Sequence, residues 1–151
     1  MVLLAISLVA CGGGGIPQTT DAGQQLRPLP EAFKVREAVA YSPYRTSSRD
    51  TETITKAMIE EDLSLLIKAG IGLIRLFDSS DAVAKQVLEV IRDKNLDLKV
   101  MLGMWIATDA DSSNQAEIAR GIALANTYTS TVLAVSVGNE TLVSWTAHPQ
   151  Q

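Results

Sequence analysis

Ile71-Gly72-Leu73-Ile74-Arg75-Leu76-Phe77, followed at once by Asp78-Ser79-Ser80-Asp81, decides how the rest of the chain is read. The first seven residues form a short apolar run rich in Leu and Ile, the pattern of a strand buried on both faces. The Asp/Ser cluster supplies side-chain oxygens that cap a helix N-terminus. A helix over Asp81 to Asp93 follows, with Val83, Val87, Leu88 and Ile91 inward. Upstream, Thr55 to Ala69 reads as a helix with Ile59, Leu63, Leu66 and Ile67 on one stripe, and Gly70 stands where a C-cap glycine belongs. Before that helix lies a short strand, Val39-Ala40-Tyr41, running into Ser42-Pro43-Tyr44-Arg45. Downstream, Asn95-Leu96-Asp97 turns the chain into a strand from Lys99 to Trp105. A helix at Gln115 to Tyr128 puts Ile118, Ile122 and Ala125 on one face, and a last strand, Val132 to Val137, ends at Gly138-Asn139-Glu140.

Strands alternating with helices predict an α/β fold with a parallel sheet joined by right-handed crossovers. No Gly-rich phosphate loop follows the first strand, so dinucleotide binding is disfavoured. A repeating βα unit with polar and aromatic residues at strand ends fits a (β/α)8 TIM barrel. Such a barrel needs about 250 residues, and 151 are present. The expectation is therefore a partial barrel, the first four βα units as an open half-barrel. Ile74, Leu76, Met101 and Val135 are expected to line its interior.

Hydrophobic residues make up 46% and charged residues 20%, which supports a packed core. The net charge of −4 argues against a nucleic-acid partner, because phosphate binding needs a basic face. One His and one Cys exclude a His/Cys zinc site, and no disulfide can form within the chain. No metal or cofactor is expected.

Residues 1–11 read as a signal segment. Val2 to Ala10 has the length of a signal-peptide apolar core and is too short to span a bilayer. Leu8-Val9-Ala10-Cys11 resembles a bacterial lipobox, although no Lys or Arg precedes the apolar run. On that reading Cys11 is lipidated, and the protein sits at the bacterial cell envelope, touching membrane only through this anchor. The other reading is an ordinary signal peptide with an incidental Cys. Residues 12–33 read as a flexible linker and 34–151 as the folded domain.

In parallel α/β folds the chemistry sits at the C-terminal strand ends. Those ends carry Tyr41, Tyr44, Arg75, Phe77, Asp78, Trp105, Asn139 and Glu140, with Trp145 in the last loop. Five of the two Trp, three Tyr and two Phe fall in this set. Aromatic faces suit the C–H faces of a neutral sugar, although Phe77 and Trp105 also suit a core. Glu140 reads either as a solvated charge or as a half-buried acid whose pKa is raised toward neutrality. Arg75 reads either as a structural ion-pair partner of Asp78 or Glu140, or as a cation that keeps a second catalytic carboxylate ionised.

The segments YSPYR, GIGLIRLFDSSD, KVMLGMWI, QAEIARGIALAN and VSVGNETLVSW together resemble glycoside hydrolase family 17, over most of Val39 to Trp145. That family comprises β-1,3-glucanases and β-1,3-glucanosyltransferases. The resemblance implies a retaining (β/α)8 hydrolase acting on β-glucan. It implies Glu140 as general acid/base, Asn139 as the contact to the sugar 2-hydroxyl, and Arg75 as the arginine near the nucleophile. Tyr41, Tyr44, Phe77, Asp78, Trp105 and Trp145 are the remaining candidate substrate contacts.

The family's nucleophile is a Glu on a seventh strand, which the sequence does not reach. Retaining hydrolysis needs two carboxyls about 5–5.5 Å apart, so the chain is expected to be a fragment, inactive by itself. The alternative is a surface lipoprotein that binds glucan without cleaving it. Hydrolysis and transglycosylation, and endo and exo action, are not separable at this point.

Overall fold

In the computed structural model the described residues are 28–47, 51–108, 110–139 and 141. The expected calls on Cys11, Glu140 and Trp145 lie outside them. The elements are α1 (Glu31–Lys34), β1 (Ala38–Ala40), α2 (Lys56–Lys68), β2 (Leu73–Arg75), α3 (Gln86–Asp93), β3 (Lys99–Met104), α4 (Asp111–Thr127) and β4 (Val132–Val137). The turn of α1 falls at the end of the stretch read as linker. A wide five-residue turn, Asp81–Lys85, leads into α3, closed by Lys85 N–H donating to Ser80 O at 3.1 Å.

The four strands form one parallel sheet in the order β1-β2-β3-β4. This is the α/β architecture expected, consistent with part of a barrel. Helix ends follow the sequence signals. Thr55 caps α2 by accepting from Met58 N–H at 3.3 Å, and Ser80 accepts from Val83 N–H at 3.2 Å. Gly70, at φ +84°, closes α2.

One core lies between the sheet and the helices. Ile74, Leu76, Val100 and Leu102 pack there with Ile59 and Leu63 of α2 and with Val87, Leu88 and Ile91 of α3. Burying each such side chain contributes about 1.5–3 kcal/mol. Register sorts the two faces. Ile74 aligns with Val100, and Leu102 with Val135, on the helix side. Arg75 aligns with Ala40 and Met101, and Met101 with Ala134, on the other. The expectation that Ile74, Leu76 and Val135 share a face with Met101 is therefore corrected. Ile74, Leu76, Val100 and Leu102 go where helices bury them, Val135 is 40% exposed on that same side, and the open face carries Ala38, Ala40, Leu73, Arg75, Met101, Gly103, Ala134 and Ser136. Phe33 of α1 joins Leu73, Arg75 and Met101 around a concavity on that face, and α1 reaches across to β4.

β4 contains a bulge: Val100 aligns with Val132 but Met101 with Ala134, leaving Leu133 as an extra residue. The inward face of α4 also differs from expectation. Glu117 and Gly121 are buried, Leu124 and Ala125 pack on the core, and Tyr128 is buried just beyond the helix. Ile122 is 52% exposed. Gly121 occupies the contact because any larger residue there meets the Met104 side chain.

Candidate active site

Because the strands are parallel and in chain order, their C-terminal ends line one edge, and the residues just past them are neighbours. Past β2 the chain is locked by its own polar groups. Asp78 accepts from Ser80 N–H at 2.8 Å, and Ser79 N–H donates to Glu117 Oε1 at 2.6 Å. Past β4, Gly138 N–H continues the ladder to Met104 O at 2.9 Å, and its φ of +82° turns the chain. That turn delivers Asn139 to the open face.

Three of the expected residues come together there. Arg75 Nη2 donates to Asn139 Oδ1 at 2.7 Å, and the guanidinium stands 5.3 Å from the Phe77 ring centroid. A guanidinium has only donors, so the amide oxygen must face it, which leaves Asn139 Nδ2 as a donor for another partner. The Nε–H of Arg75 is buried without a hydrogen-bond partner among the described residues. A buried donor left unpaired costs about 1–3 kcal/mol, and a carboxylate would relieve it.

Of the two ion-pair partners considered for Arg75, Asp78 does not pair with it and Glu140 lies outside the described residues; among the described residues no carboxylate pairs with Arg75. The Asp78 carboxylate instead shapes its own turn.

The aromatics divide. Trp105, at the end of β3, is 46% exposed. Phe77 is half-buried under Arg75. Tyr44 packs against the core. Tyr41 is not brought into this cluster: it is 8% exposed within the core, and its hydroxyl donates to Asp62 Oδ2 at 2.9 Å. Burial first, and then this bond to a carboxylate, raise its pKa above the ordinary tyrosine range. Asp62 Oδ1 accepts from Arg45 at 2.8 Å, and Arg45 also bonds Glu61 at 2.8 Å. Glu52 accepts the N–H groups of Arg45 and Thr46 at 2.8 and 2.9 Å, which hold its pKa below the usual value. The loop after β1 is thereby tied to α2.

Sequence reasoning missed Glu117. It is 6% exposed, and its Oε1 accepts two backbone N–H groups, Ser79 at 2.6 Å and Trp105 at 3.0 Å. Its Oε2 accepts from Arg120 at 2.6 Å, and its backbone O accepts from the Ser79 hydroxyl at 2.8 Å. Burial pushes this carboxyl up, but the bonds from Ser79, Trp105 and Arg120 outweigh it and hold the pKa below its ordinary value. The signal was present as helical spacing, since Glu117 stands one turn before Gly121 and two turns before Leu124 and Ala125. The face expected from the apolar residues Ile118, Ile122 and Ala125 leaves Glu117 out.

Comparison with known proteins bears on the family and the fold. Residues 38–151 match the family described as the BtgE/BtgC glycoside hydrolase domain. No curated protein matches the chain. Among solved structures, the crystal structure of an endo-laminarinase from Formosa Hel1_33_131 is similar, with a TM-score of 0.64 and 28% sequence identity. The match covers 75% of this chain and 33% of that enzyme, so the chain spans about a third of its length.

Proposed function

Since the chain belongs to the BtgE/BtgC glycoside hydrolase domain family, we propose that it forms the first half of a (β/α)8 barrel in a retaining hydrolase or transglycosylase of the family 17 type, acting on β-1,3-glucan. The observation that carries this reading is the Arg75–Asn139 pair, built across the strand ends directly before Glu140. The similar endo-laminarinase supports the choice of glucan.

Each residue has a role in this proposal. Glu140 protonates the glycosidic oxygen as it leaves and later deprotonates the incoming water or sugar hydroxyl. Asn139 Nδ2, freed by the bond from Arg75 to its oxygen, donates to the sugar 2-hydroxyl. Arg75 Nε, without a partner among the described residues, donates to the second carboxylate that retention requires, keeping it ionised and nucleophilic. Phe77 supports the guanidinium from below by cation–π attraction, worth about 0.5–2 kcal/mol. Trp105 offers its exposed ring to a glucose face. Tyr44, Asp78 and Trp145 complete the proposed contacts. Cys11 is proposed as the lipid attachment that holds the enzyme at the cell envelope.

The experiment is incubation of the full-length protein with laminarin, following new reducing ends and the anomeric configuration of the first product by NMR. New ends with retained configuration are expected. Binding without cleavage would assign a glucan-binding protein instead. Inversion would break the mechanistic assignment.

A further inference from the structure

We infer that Glu117 is a positioning residue for the glucan site: one buried carboxylate oxygen sets the spacing between the loops that carry Phe77 and Trp105. This rests on the glucan reading above and deepens it. The geometry is specific. Ser79 N–H, two residues after Phe77, and Trp105 N–H converge on the same Oε1, at 2.6 and 3.0 Å. These residues follow adjacent strands, β2 and β3, four residues past the last pair, Arg75 and Met101.

Beyond the ladder, backbone groups need another partner when buried, and here that partner comes from α4. Ser79 is fully buried, and its hydroxyl also bonds Glu117 O at 2.8 Å, so the loop is held to α4 at two points. Arg120 occupies the other oxygen at 2.6 Å and fixes the carboxylate's rotation. A carboxylate alone fits this place, because all three neighbours are donors and it accepts without donating. Glu117 touches no sugar. It acts by holding Trp105, whose ring is exposed, at a set distance from the Arg75–Phe77 stack.

The test uses full-length protein and laminari-oligosaccharides long enough to cross both rings. Glu117→Ala leaves both N–H groups without an acceptor. It is expected to raise KM about tenfold while kcat changes less than about threefold. Glu117→Gln keeps an acceptor oxygen for the two N–H groups and loses the partner of Arg120, so its KM is expected to fall between. In a Trp105→Ala background, Glu117→Ala should have little further effect on KM, because the ring it places is gone. Should Glu117→Ala fail to fold, Glu117→Asp carries the same test. It keeps the charge but is a methylene too short to hold both N–H groups.

Fully additive effects of Glu117→Ala and Trp105→Ala on KM would overturn the role, as would an unchanged KM in an active protein. A wild-type protein inert toward laminarin would overturn the glucan reading, and the role of Glu117 with it.

Discussion

Arg75 and Asn139 are joined by a 2.7 Å hydrogen bond although β3 lies between their strands. Two strand spacings amount to about 9–10 Å, which the long guanidinium side chain and the turn at Gly138 bridge together. The open face lets this happen, since the residues under the span are Met101 and the bare backbone of Gly103. Arg75→Met keeps the stem and removes every donor. In the full-length enzyme it should lower kcat about 10²-fold, in the range seen for loss of one preorganised electrostatic group. Asn139→Ala added to it should cost less than the product of the two single losses, because the residues act as a unit.

Glu140→Gln should lower turnover of unactivated glucan by about 10²–10⁴-fold, the usual value of general acid–base help. Aryl glucosides with good leaving groups should be spared in the first step, and azide should speed turnover of the trapped intermediate. Full activity of this variant on long glucan would remove Glu140 from the role.

The Glu117 carboxyl has a pKa depressed in the folded state, from an ordinary value of 4.5. A depressed carboxylate contributes stability above the unfolded value and loses it as pH falls through the folded one. Denaturation midpoints of wild type should therefore fall toward those of Glu117→Gln as pH drops below 4.5. At neutral pH, Glu117→Ala should cost about 1–3 kcal/mol, since the buried Ser79 N–H and the half-buried Trp105 N–H lose their acceptor. Urea melts from pH 3 to 7 would check both the size and the sign.

Two glycines should respond differently to alanine. At Gly103 a Cβ would lie 2.5 Å from the carbonyl carbon of Phe77 and 2.6 Å from its oxygen. Backbone cannot give way there, so Gly103→Ala should cost more than about 2 kcal/mol and separate β2 from β3. At Gly121 the obstacle is the flexible Met104 side chain. The gain in helix propensity, about 1 kcal/mol, offsets that contact, so Gly121→Ala should leave the melting temperature within a few degrees of wild type.

Tyr41→Phe removes a bond to Asp62 inside the core. It should cost about 1 kcal/mol of stability and leave KM for glucan unchanged. A raised KM would return Tyr41 to the binding surface.

The strand and helix order was legible because periodicity reports it directly: the run Leu73–Leu76, the stripe Ile59–Leu63–Leu66–Ile67 and the caps at Ser80 and Gly70 all stand where spacing put them. Which face of each strand points where was not. Ile74 and Met101 are both apolar, and only the pairing register shows that they lie on opposite sides. On α4 Ile122 misled, because the packed stripe runs through Glu117, Gly121, Leu124 and Ala125. The Arg75–Asn139 contact, 64 residues apart in sequence, was legible only as two residues at strand ends. Their direct bond depends on the turn at Gly138, and no local pattern announces that.

The bulge at Leu133 absorbs one residue of β4. Side chains alternate along a regular strand, so without the extra residue Val132 and Ala134 would sit on opposite sides as neighbours do; Leu133 is spare length that the ladder does not use. Removing Leu133 alone would leave Ala134 opposite Met101 and Asn139 still in step with Arg75. Removing one residue after the bulge would instead carry the rest of β4 to the other side. β4 can thus lose one residue at the bulge without cost to the site, whereas a one-residue deletion between Val135 and Gly138 would uncouple Asn139 from Arg75 without altering any residue of the site.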